Sequence, residues 1–255
     1  GVASNAIGEV LNRLDARPSL KLWGVCTHFA NGENPDSPFT LEQARRFHLA
    51  TDPVAAAQGG KLTRHAANSG SLFFHKSTHL DMVRPGLSLY GIDPSGRPTT
   101  ARPLKPVLRW TAPIVSLTDV PAGGTVGYGQ TWSARRPTRI GLLPVGYADG
   151  YPRSFSNGAK VLLHGRPAAV VGRVSMDMTT VDLTDHPDAH LGEEVTLLDD
   201  NPLSPASVYE LSRWANTIPY EVLSRIGPRV KRVAVDPEDA PFEETEAEAS
   251  ETDFS

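Results

Sequence analysis

Two kinds of apolar pattern alternate along the first hundred residues. Apolar side chains that recur every three to four positions are typical of amphipathic helices, and the short continuous apolar runs between them are typical of strands. The predicted elements are helices at 4–14 (capped by Ser4 or Asn5), at 40–57 and directly after Ser69, and strands at 20–28, 62–68 and 81–91. Strands that alternate with helices at this spacing form parallel βα units, so residues 1–103 are predicted to be an α/β domain.

The pattern changes near residue 103. Short apolar segments follow, separated by Gly, Pro, Asn and Asp, the residues that hairpins and barrels use at their turns. Strands are predicted within 107–120, 138–150, 160–165, 166–183 and 193–200, and two closing helices within 204–215 and 220–227. Residues 104–233 are therefore predicted to form a second, mostly β and barrel-like domain, which makes the fold class α/β plus β.

Charge adds a third region at the C-terminus. The chain has 255 residues with a net charge of -4, but nine of its 29 acidic residues follow Arg232 and no basic residue does. The remaining body carries 25 basic and 20 acidic residues. Like-charge repulsion and few apolar residues predict that 234–255 is a disordered acidic tail. Because the body has no basic stripe with interleaved aromatics, nucleic acid is not expected as a partner.

Cysteine usage and hydropathy are consistent with a reducing compartment. Cys26 is the single cysteine, so an internal disulfide is excluded, and no apolar run approaches the roughly 18 residues that cross a bilayer. No signal peptide opens the chain. We therefore expect a cytoplasmic protein without a membrane partner. The chain opens at Gly1 and not at a methionine, so we also expect it to be part of a longer gene product.

Polar residues stand at the ends of the predicted strands of the first domain. These are His28, Asn68 with Ser69, and Arg84 followed by Gly86. Taken singly, each has an ordinary explanation: a structural histidine, a helix cap and a turn. In a βα barrel, however, the carboxyl ends of the strands form the active face, and a helix start with free N–H groups binds anions. Together these residues predict a phosphate site.

The stretch VGYGQTW, residues 126–132, contains a tyrosine between two glycines. A turn needs the glycines but has no evident use for the phenol of Tyr128. The structural explanation is an exposed loop tyrosine, and the functional one is an acid–base group.

Seven segments resemble, in order and approximate spacing, the successive signatures of the alanine racemase family. They are THFAN (27–31), RHAANSGSLF (64–73), DMVRPGLSLYGIDPS (81–95), GGTVGYGQTW (123–132), IGLLPVGYADGYPR (140–153), VVGRVSMDMTTVDLTD (170–185) and NTIPYEVLSRIGPRVKR (216–232). The resemblance implies a pyridoxal-phosphate isomerase that interconverts L-alanine and D-alanine, the latter for cell-wall peptidoglycan. It also implies an N-terminal (β/α)8 barrel followed by a β domain.

The resemblance implies roles for the residues at the predicted strand ends. The cofactor phosphate would bind Asn68, Ser69, the backbone N–H groups of Gly86 and Leu87, and the hydroxyl of Tyr220. Arg84 would face the pyridine nitrogen, to which it can donate a hydrogen bond but cannot give a proton. His28 would support Arg84. No metal is implied.

Tyr128 matches the family's second acid–base group, which acts opposite the cofactor-bearing lysine across the substrate carbon. In the family this tyrosine, with the residues matching Met176 and Asp177, reaches the cofactor of the other subunit. A homodimer with active sites at the interface is therefore implied. Met176 would bind the substrate carboxylate through its N–H and limit side-chain size, with core packing as the alternative. Tyr147 would line the entrance with Arg153.

One departure from the family pattern is large. The lysine that binds the cofactor lies in a KANAYGHG-like motif, and that context is missing around Lys21, Lys61, Lys76, Lys105 and Lys160. The carboxylate-binding arginine is missing too, and about 100 residues precede the β domain where a full barrel takes roughly 200. We therefore expect an N-terminally truncated racemase that is inactive alone. The alternatives are a non-catalytic dimerisation module, a serine racemase or an amino-acid decarboxylase.

Overall fold

The computed structural model describes residues 1–101 and 103–235. The α-helices are α1 Ile7–Asp15, α2 Pro38–Ala57, α3 Ser69–Phe74, α4 Val208–Ala215 and α5 Pro219–Arg225. The strands are β1 Gly24–Cys26, β2 Thr63–His65, β3 Trp110–Pro113, β4 Ser116–Val120, β5 Thr125–Val126, β6 Trp132–Ser133, β7 Thr138–Leu143, β8 Lys160–Leu163, β9 Arg166–Val170, β10 Thr179–Asp182 and β11 Glu194–Leu198. Short 3-10 turns lie at Ser4–Ala6, Lys76–Thr78, Leu87–Tyr90, Tyr128–Gln130 and Arg153–Phe155.

The first region contains a βα unit. β1 and β2 pair in parallel, with Gly24 opposite Thr63 and Cys26 opposite His65, and α2 forms the connection. This pairing confirms the predicted α/β character. Both strands are shorter than the apolar runs that predicted them. A Cβ on Gly24 would lie 2.5 Å from the Thr63 carbonyl oxygen, so the two backbones approach each other where only glycine fits.

The strand predicted at 81–91 is wrong. Only Met82 makes a β-bridge, to His65, and Leu87–Tyr90 forms a 3-10 turn that ends at Gly91 with a φ of 72°. Pro85 has no N–H to donate to a neighbouring strand, so the extended segment stops there. The predicted cap of the first helix is also wrong, because Ser4 lies inside a 3-10 turn and its N-cap, Ala3, makes no side-chain cap hydrogen bond.

The apolar face of α1 lies over the βα unit. Ile7, Val10, Leu11 and Leu14 line a groove of about 400 Å³ together with apolar residues of β1 and α2. Among the described residues, β1 pairs with β2 alone, so its other edge has no strand beside it. The part of the barrel that the structure describes is therefore open on this side.

The second region is a seven-stranded sheet in the order β3-β11-β8-β9-β10-β7-β4, in which every pair is antiparallel. β5 and β6 form a separate small hairpin. The curled sheet encloses a core in which Val161, Val181 and Leu197 are fully buried. The mostly β second domain is thereby confirmed. Each buried aliphatic side chain stabilises the fold by about 1.5–3 kcal/mol.

Two helices close this domain. α4 is capped by Ser207, whose side chain accepts from the Glu210 N–H, and it ends at Asn216 in the left-handed conformation with a φ of 52°. α5 starts at Pro219, which has no N–H to leave unpaired in the first turn. Both helices were predicted, the first about one turn too long at its start and the second two residues too long at its end.

The two regions contact each other directly. The Tyr209 hydroxyl of α4 accepts from the Asp93 N–H at 2.8 Å, and the Tyr90 carbonyl accepts from the Val107 N–H at 3.2 Å. The boundary at 103 and 104 stays a prediction, and the acidic tail lies outside the described residues from 236 onward. Within the part of the chain that the structure describes, no helix is both long and apolar enough to cross a membrane.

Candidate active site

The guanidinium of Arg84 lies at the carboxyl ends of β1 and β2. Its NH2 group donates to the Thr27 carbonyl at 2.9 Å and to the Ala66 carbonyl at 3.3 Å, and it lies 3.3 Å from Nδ1 of His28. Its NH1 group lies 2.6 Å from Nδ1 of His65. Two carbonyls and two imidazoles from neighbouring strand ends therefore hold one cation in a fixed orientation.

His65 contributes to this arrangement although the sequence analysis did not single it out. Arginine has no acceptor, so Nδ1 of His65 must accept and the proton of its neutral ring lies on Nε2. Burial lowers the pKa of His65, and the charge of Arg84 lowers that pKa further. The ring therefore stays neutral at physiological pH. The feature that points to a role for His65 is its position at the end of β2, opposite Cys26 at the end of β1.

Asn68 connects His28 to the start of α3. Its Oδ1 accepts from the Ser71 N–H at 3.0 Å, which makes it the N-cap, and its Nδ2 donates to the Phe29 carbonyl at 3.3 Å. The same Nδ2 lies 3.4 Å from Nε2 of His28. Arg84 faces Nδ1 of His28 and Asn68 faces Nε2, and both are donors. A neutral imidazole has one acceptor nitrogen, so it can accept from only one of the two.

Ser69 ties this cap to the turn that follows Arg84. Its Oγ accepts from the Gly86 N–H at 2.9 Å and from the Ser88 N–H at 3.3 Å, and its side chain is buried. Leu87, also buried, begins the 3-10 turn. A Cβ added to Gly86 would meet no atom within 4 Å, so the space beside that backbone is open. The structure thus brings Asn68, Ser69, Gly86 and Leu87 together.

Tyr220 approaches the same region from α5. Burial raises the pKa of the Tyr220 phenol, and the negative charge of Glu33 raises that pKa further. Glu33 in turn lies against α3, because a Cβ on Gly70 would be 2.5 Å from the Glu33 nitrogen. Tyr220 is therefore within electrostatic range of Glu33, whose backbone packs against α3.

Tyr128 lies on the turn between β5 and β6 and its side chain is 73% exposed. Gly127 and Gly129 on either side have φ values of 78° and 72°, which explains both glycines. The turn sits on the backbone of the neighbouring strand connection, because a Cβ on Gly127 would be 2.9 Å from the Arg173 nitrogen. The Nε of Arg173 is buried and has no hydrogen-bond partner among the described residues.

Met176, Asp177 and Tyr147 lie on two loops that hydrogen-bond to each other. The Tyr147 N–H donates to the Ser175 carbonyl at 3.0 Å, and the Ala148 N–H donates to the Met176 carbonyl at 2.9 Å. The Met176 side chain is 55% exposed, so core packing, the structural alternative for this residue, is wrong. Tyr147 is also exposed.

The candidate residues therefore form two separate sets. One set surrounds Arg84 and the start of α3, and the other surrounds Tyr128 and Met176. Among residues 1–101 and 103–235, no hydrogen bond or ion pair joins the two sets. The same residues contain no group of three or more His, Cys, Asp and Glu side chains arranged to hold a metal.

Parallel strands whose ends carry a fixed arginine and a helix cap, followed by an antiparallel β domain, define a two-domain protein in which an α/β domain precedes a β domain. Comparison with known families gives the particular group. The description "Alanine racemase, N-terminal domain" matches residues 1–94, and "Alanine racemase, C-terminal domain" matches residues 107–234. The chain belongs to the alanine racemase family, as the resemblance implied.

Curated relatives agree with this assignment. The alanine racemase of Halothermothrix orenii is 39% identical over 227 residues, which are 89% of this chain and 60% of the relative. That of Chlorobaculum tepidum is 37% identical over 236 residues, 92% of this chain and 60% of the relative. The chain thus spans about 60% of the length of the curated relatives it matches.

Solved structures confirm the fold class. The biosynthetic alanine racemase of Pseudomonas aeruginosa aligns with a TM-score of 0.76 at 37% identity, covering 91% of this chain and 63% of that one. The alanine racemase of Bartonella henselae, which contains covalently bound pyridoxal phosphate, aligns with a TM-score of 0.74 at 33% identity, covering 89% and 62%. An alanine racemase from Streptomyces lavendulae aligns with a TM-score of 0.80 at 31% identity, covering 92% and 63%.

Proposed function

We propose that the chain is the pyridoxal-phosphate-binding and dimer-forming part of an alanine racemase that interconverts L-alanine and D-alanine. The observation that carries this proposal is the Arg84 guanidinium, held by His65 and by two carbonyls beside the Asn68 and Ser69 cap. A cation fixed in this way, next to an anion-binding helix start, suits a ligand that carries both an aromatic nitrogen and a phosphate. The product D-alanine would supply peptidoglycan synthesis in the cytoplasm.

The residues around Ser69 fit a phosphate. The first N–H groups of α3 have no partner within the helix, and the open space beside Gly86 gives an anion access to the backbone. Because the Ser69 Oγ accepts from Gly86 and Ser88, the proton of its hydroxyl remains available to donate. Asn68, the Leu87 N–H and Tyr220 would add donors, and the Gly86 N–H, which donates to the Ser69 Oγ in the structure, would complete the set by turning to the phosphate.

Pyridoxal phosphate, when bound, withdraws electrons from the α-carbon of an amino acid and so acidifies the α-proton. Arg84 would donate a hydrogen bond to the pyridine nitrogen and, since its own proton is not released at any relevant pH, would leave that nitrogen unprotonated. His65 and His28 would hold the guanidinium at the required angle. This arrangement limits electron withdrawal and thereby favours return of the proton to the α-carbon over transamination.

Tyr128 would move the α-proton. Its phenolic oxygen would take the proton from L-alanine, and its hydroxyl would return a proton when the reaction runs from D-alanine. Within the described part of one chain no hydrogen bond or ion pair joins Tyr128 to the Arg84 set, and the Tyr128 side chain is exposed. We therefore propose that it acts in the site of a second copy, in a homodimer.

The second copy would also supply Met176, Asp177, Tyr147 and Arg153. The Met176 N–H would bind the substrate carboxylate, and its exposed side chain would limit the substrate to a small side chain such as that of alanine. Tyr147 and Arg153 would line the entrance. Exposure of Met176 and Tyr147 in the single chain supports this placement.

A chimera tests the proposal. The 255-residue chain is joined to the upstream segment that the Halothermothrix orenii relative has before the matched region, and D-alanine formation from L-alanine is measured with pyridoxal phosphate present. We expect racemisation by the chimera and none by the chain alone. Racemisation by the chain alone, together with the absorption band of covalently bound cofactor, would refute the expected inactivity of the chain alone. An inactive, folded chimera that binds the cofactor would refute the proposed function.

A further inference from the structure

A single arginine outside the proposed set bridges two loops of the β domain. Arg229 follows α5, and its Nε lies 3.1 Å from Oδ1 of Asp149 while its NH2 group donates to Oδ1 of Asp177 at 2.8 Å. The hydrogen bond to Asp177 raises the pKa of Arg229, and the charge of Asp149 raises that pKa further. One planar fork therefore holds carboxylates from two separate loops, which a lysine cannot do with the same geometry.

The Asp149 end of this bridge is fixed. Asp149 is 6% exposed, and its Oδ2 accepts from the Gly146 N–H at 3.0 Å. Its carbonyl accepts from the Gly227 N–H at 2.8 Å, two residues before Arg229. The loop 146–150 and the segment that carries Arg229 therefore form one unit.

The Asp177 end carries the group that would bind the substrate. The Ser175 carbonyl accepts from the Tyr147 N–H, and the peptide bond from Ser175 to Met176 is trans. In a trans peptide the C=O and the N–H point in opposite directions, so the Met176 N–H points away from Tyr147. A Cβ on Gly146 would lie 2.3 Å from the Ser175 carbonyl oxygen, so the two loops are in close contact.

We infer that Arg229 is a positioning residue that fixes the direction of the Met176 N–H by holding loop 175–177 against loop 146–150. The inference rests on the proposed function for its catalytic consequence, since only there does the Met176 N–H bind the substrate carboxylate. Without the bridge, two backbone hydrogen bonds alone hold the loops together. The Met176 peptide then samples other orientations, and the carboxylate loses a directed donor.

The first test needs no activity. Amide hydrogen exchange of Tyr147 and Ala148 is measured in the 255-residue chain for wild type, Arg229→Met and Arg229→Lys. We expect exchange at least ~10-fold faster in Arg229→Met, corresponding to about 1.4 kcal/mol of lost protection, and an intermediate effect in Arg229→Lys. Arg136→Met is the matched control, because Arg136 also pairs with a carboxylate, at Asp185, and its side chain is 56% exposed against 54% for Arg229. Unchanged exchange in a folded Arg229→Met protein overturns the inference.

The second test uses the chimera described above. Arg229→Met is expected to raise the KM for alanine by ~10-fold while kcat changes less than ~3-fold, because the Met176 N–H binds ground state and transition state alike. The ratio of 2-aminobutyrate to alanine turnover should rise as well, and Arg229→Lys should restore part of the KM. Faster exchange with an unchanged KM would make Arg229 merely structural and overturn the inference. If the parent chimera lacks racemase activity, the proposed function falls, and the exchange result alone decides whether Arg229 holds the loops.

Discussion

The NH1 group of Arg84 lies 2.6 Å from Nδ1 of His65, so a permanent cation donates to a neutral imidazole at the end of β2. The ring cannot be charged without placing two cations in contact. This hydrogen bond therefore fixes the tautomer of His65 and is one of the contacts that hold the guanidinium. Burial lowers the pKa of His65, and the charge of Arg84 lowers that pKa further.

This relationship predicts a pH dependence of stability. The pKa of His65 is lowered from 6.5 in the folded chain, so below about pH 6.5 the unfolded chain binds more protons at this residue than the folded chain does. The contribution of His65 is therefore complete above that pH and is lost as the pH falls. We expect the free energy of unfolding, measured with urea between pH 7.5 and 5.5, to fall less steeply in His65→Asn than in wild type. Identical slopes in the two proteins would contradict the neutral state assigned to His65.

Gly32 is predicted to be indispensable for the cap of α3. A Cβ at this position would lie 2.3 Å from Ser71 Oγ and 2.7 Å from Asn68 Oδ1, so Gly32→Ala must displace the loop or the cap. We expect a loss of about 1–3 kcal/mol in the free energy of unfolding and weaker binding of pyridoxal phosphate. Gly8→Ala is the matched control, because a Cβ there meets nothing within 4 Å and alanine favours the helix by about 0.5–1 kcal/mol. If the Gly32 and Gly8 variants were equally stable, the loop and the cap would accommodate the added methyl group without cost, and the prediction would be wrong.

Two serines of the same helix are predicted to differ. Ser69→Ala removes the acceptor of the Gly86 and Ser88 N–H groups and should cost about 0.5–1.5 kcal/mol, because two part-buried hydrogen bonds are lost. Ser71 Oγ is buried without a hydrogen-bond partner in the described part of the chain, so Ser71→Ala should leave stability unchanged within about 0.5 kcal/mol. Chemical denaturation of both variants provides the comparison. A larger loss in Ser71→Ala than in Ser69→Ala would show that the hydrogen bonds are wrongly assigned.

The sequence pattern predicted those parts of the fold that depend on local order. α2 follows from helical spacing and lies within two residues of its predicted bounds. β3, β4 and β7 to β11 follow from apolar runs between turn residues and lie inside the predicted segments, whereas the short strands β5 and β6 were not predicted. The segment 81–91 was predicted to be a strand, and its turn was not recognised, because its apolar residues form a pattern typical of a strand. Pro85 breaks the pairing there, and a run of apolar residues alone does not reveal where a hydrogen-bond partner is lacking.

Only part of the site was predicted, because some of its contacts join residues that are distant in the sequence. Arg84, Asn68 and Ser69 belong to recognisable segments, and the structure brings them together. His65 lies in the same segment as Asn68, but its role depends on a contact with Arg84, which is 19 residues away in the sequence. Arg229 is more distant still, since its partner Asp177 lies 52 residues earlier. Contacts of this kind arise from the packing of loops and leave no periodic signal.

Tyr128 provides the sharpest test of the proposed chemistry, because its exposure separates catalysis from stability. Its side chain is 73% exposed, so Tyr128→Phe should leave the free energy of unfolding unchanged within about 0.5 kcal/mol. In the chimera, loss of a general acid–base group should lower the rate from L-alanine to D-alanine by about 10²–10⁴-fold. Tyr90→Phe, at a tyrosine that is 50% exposed, is the control and should keep full activity. If Tyr128→Phe racemises L-alanine at the parent rate, another group moves the proton, and the glycine-flanked tyrosine is only part of a turn.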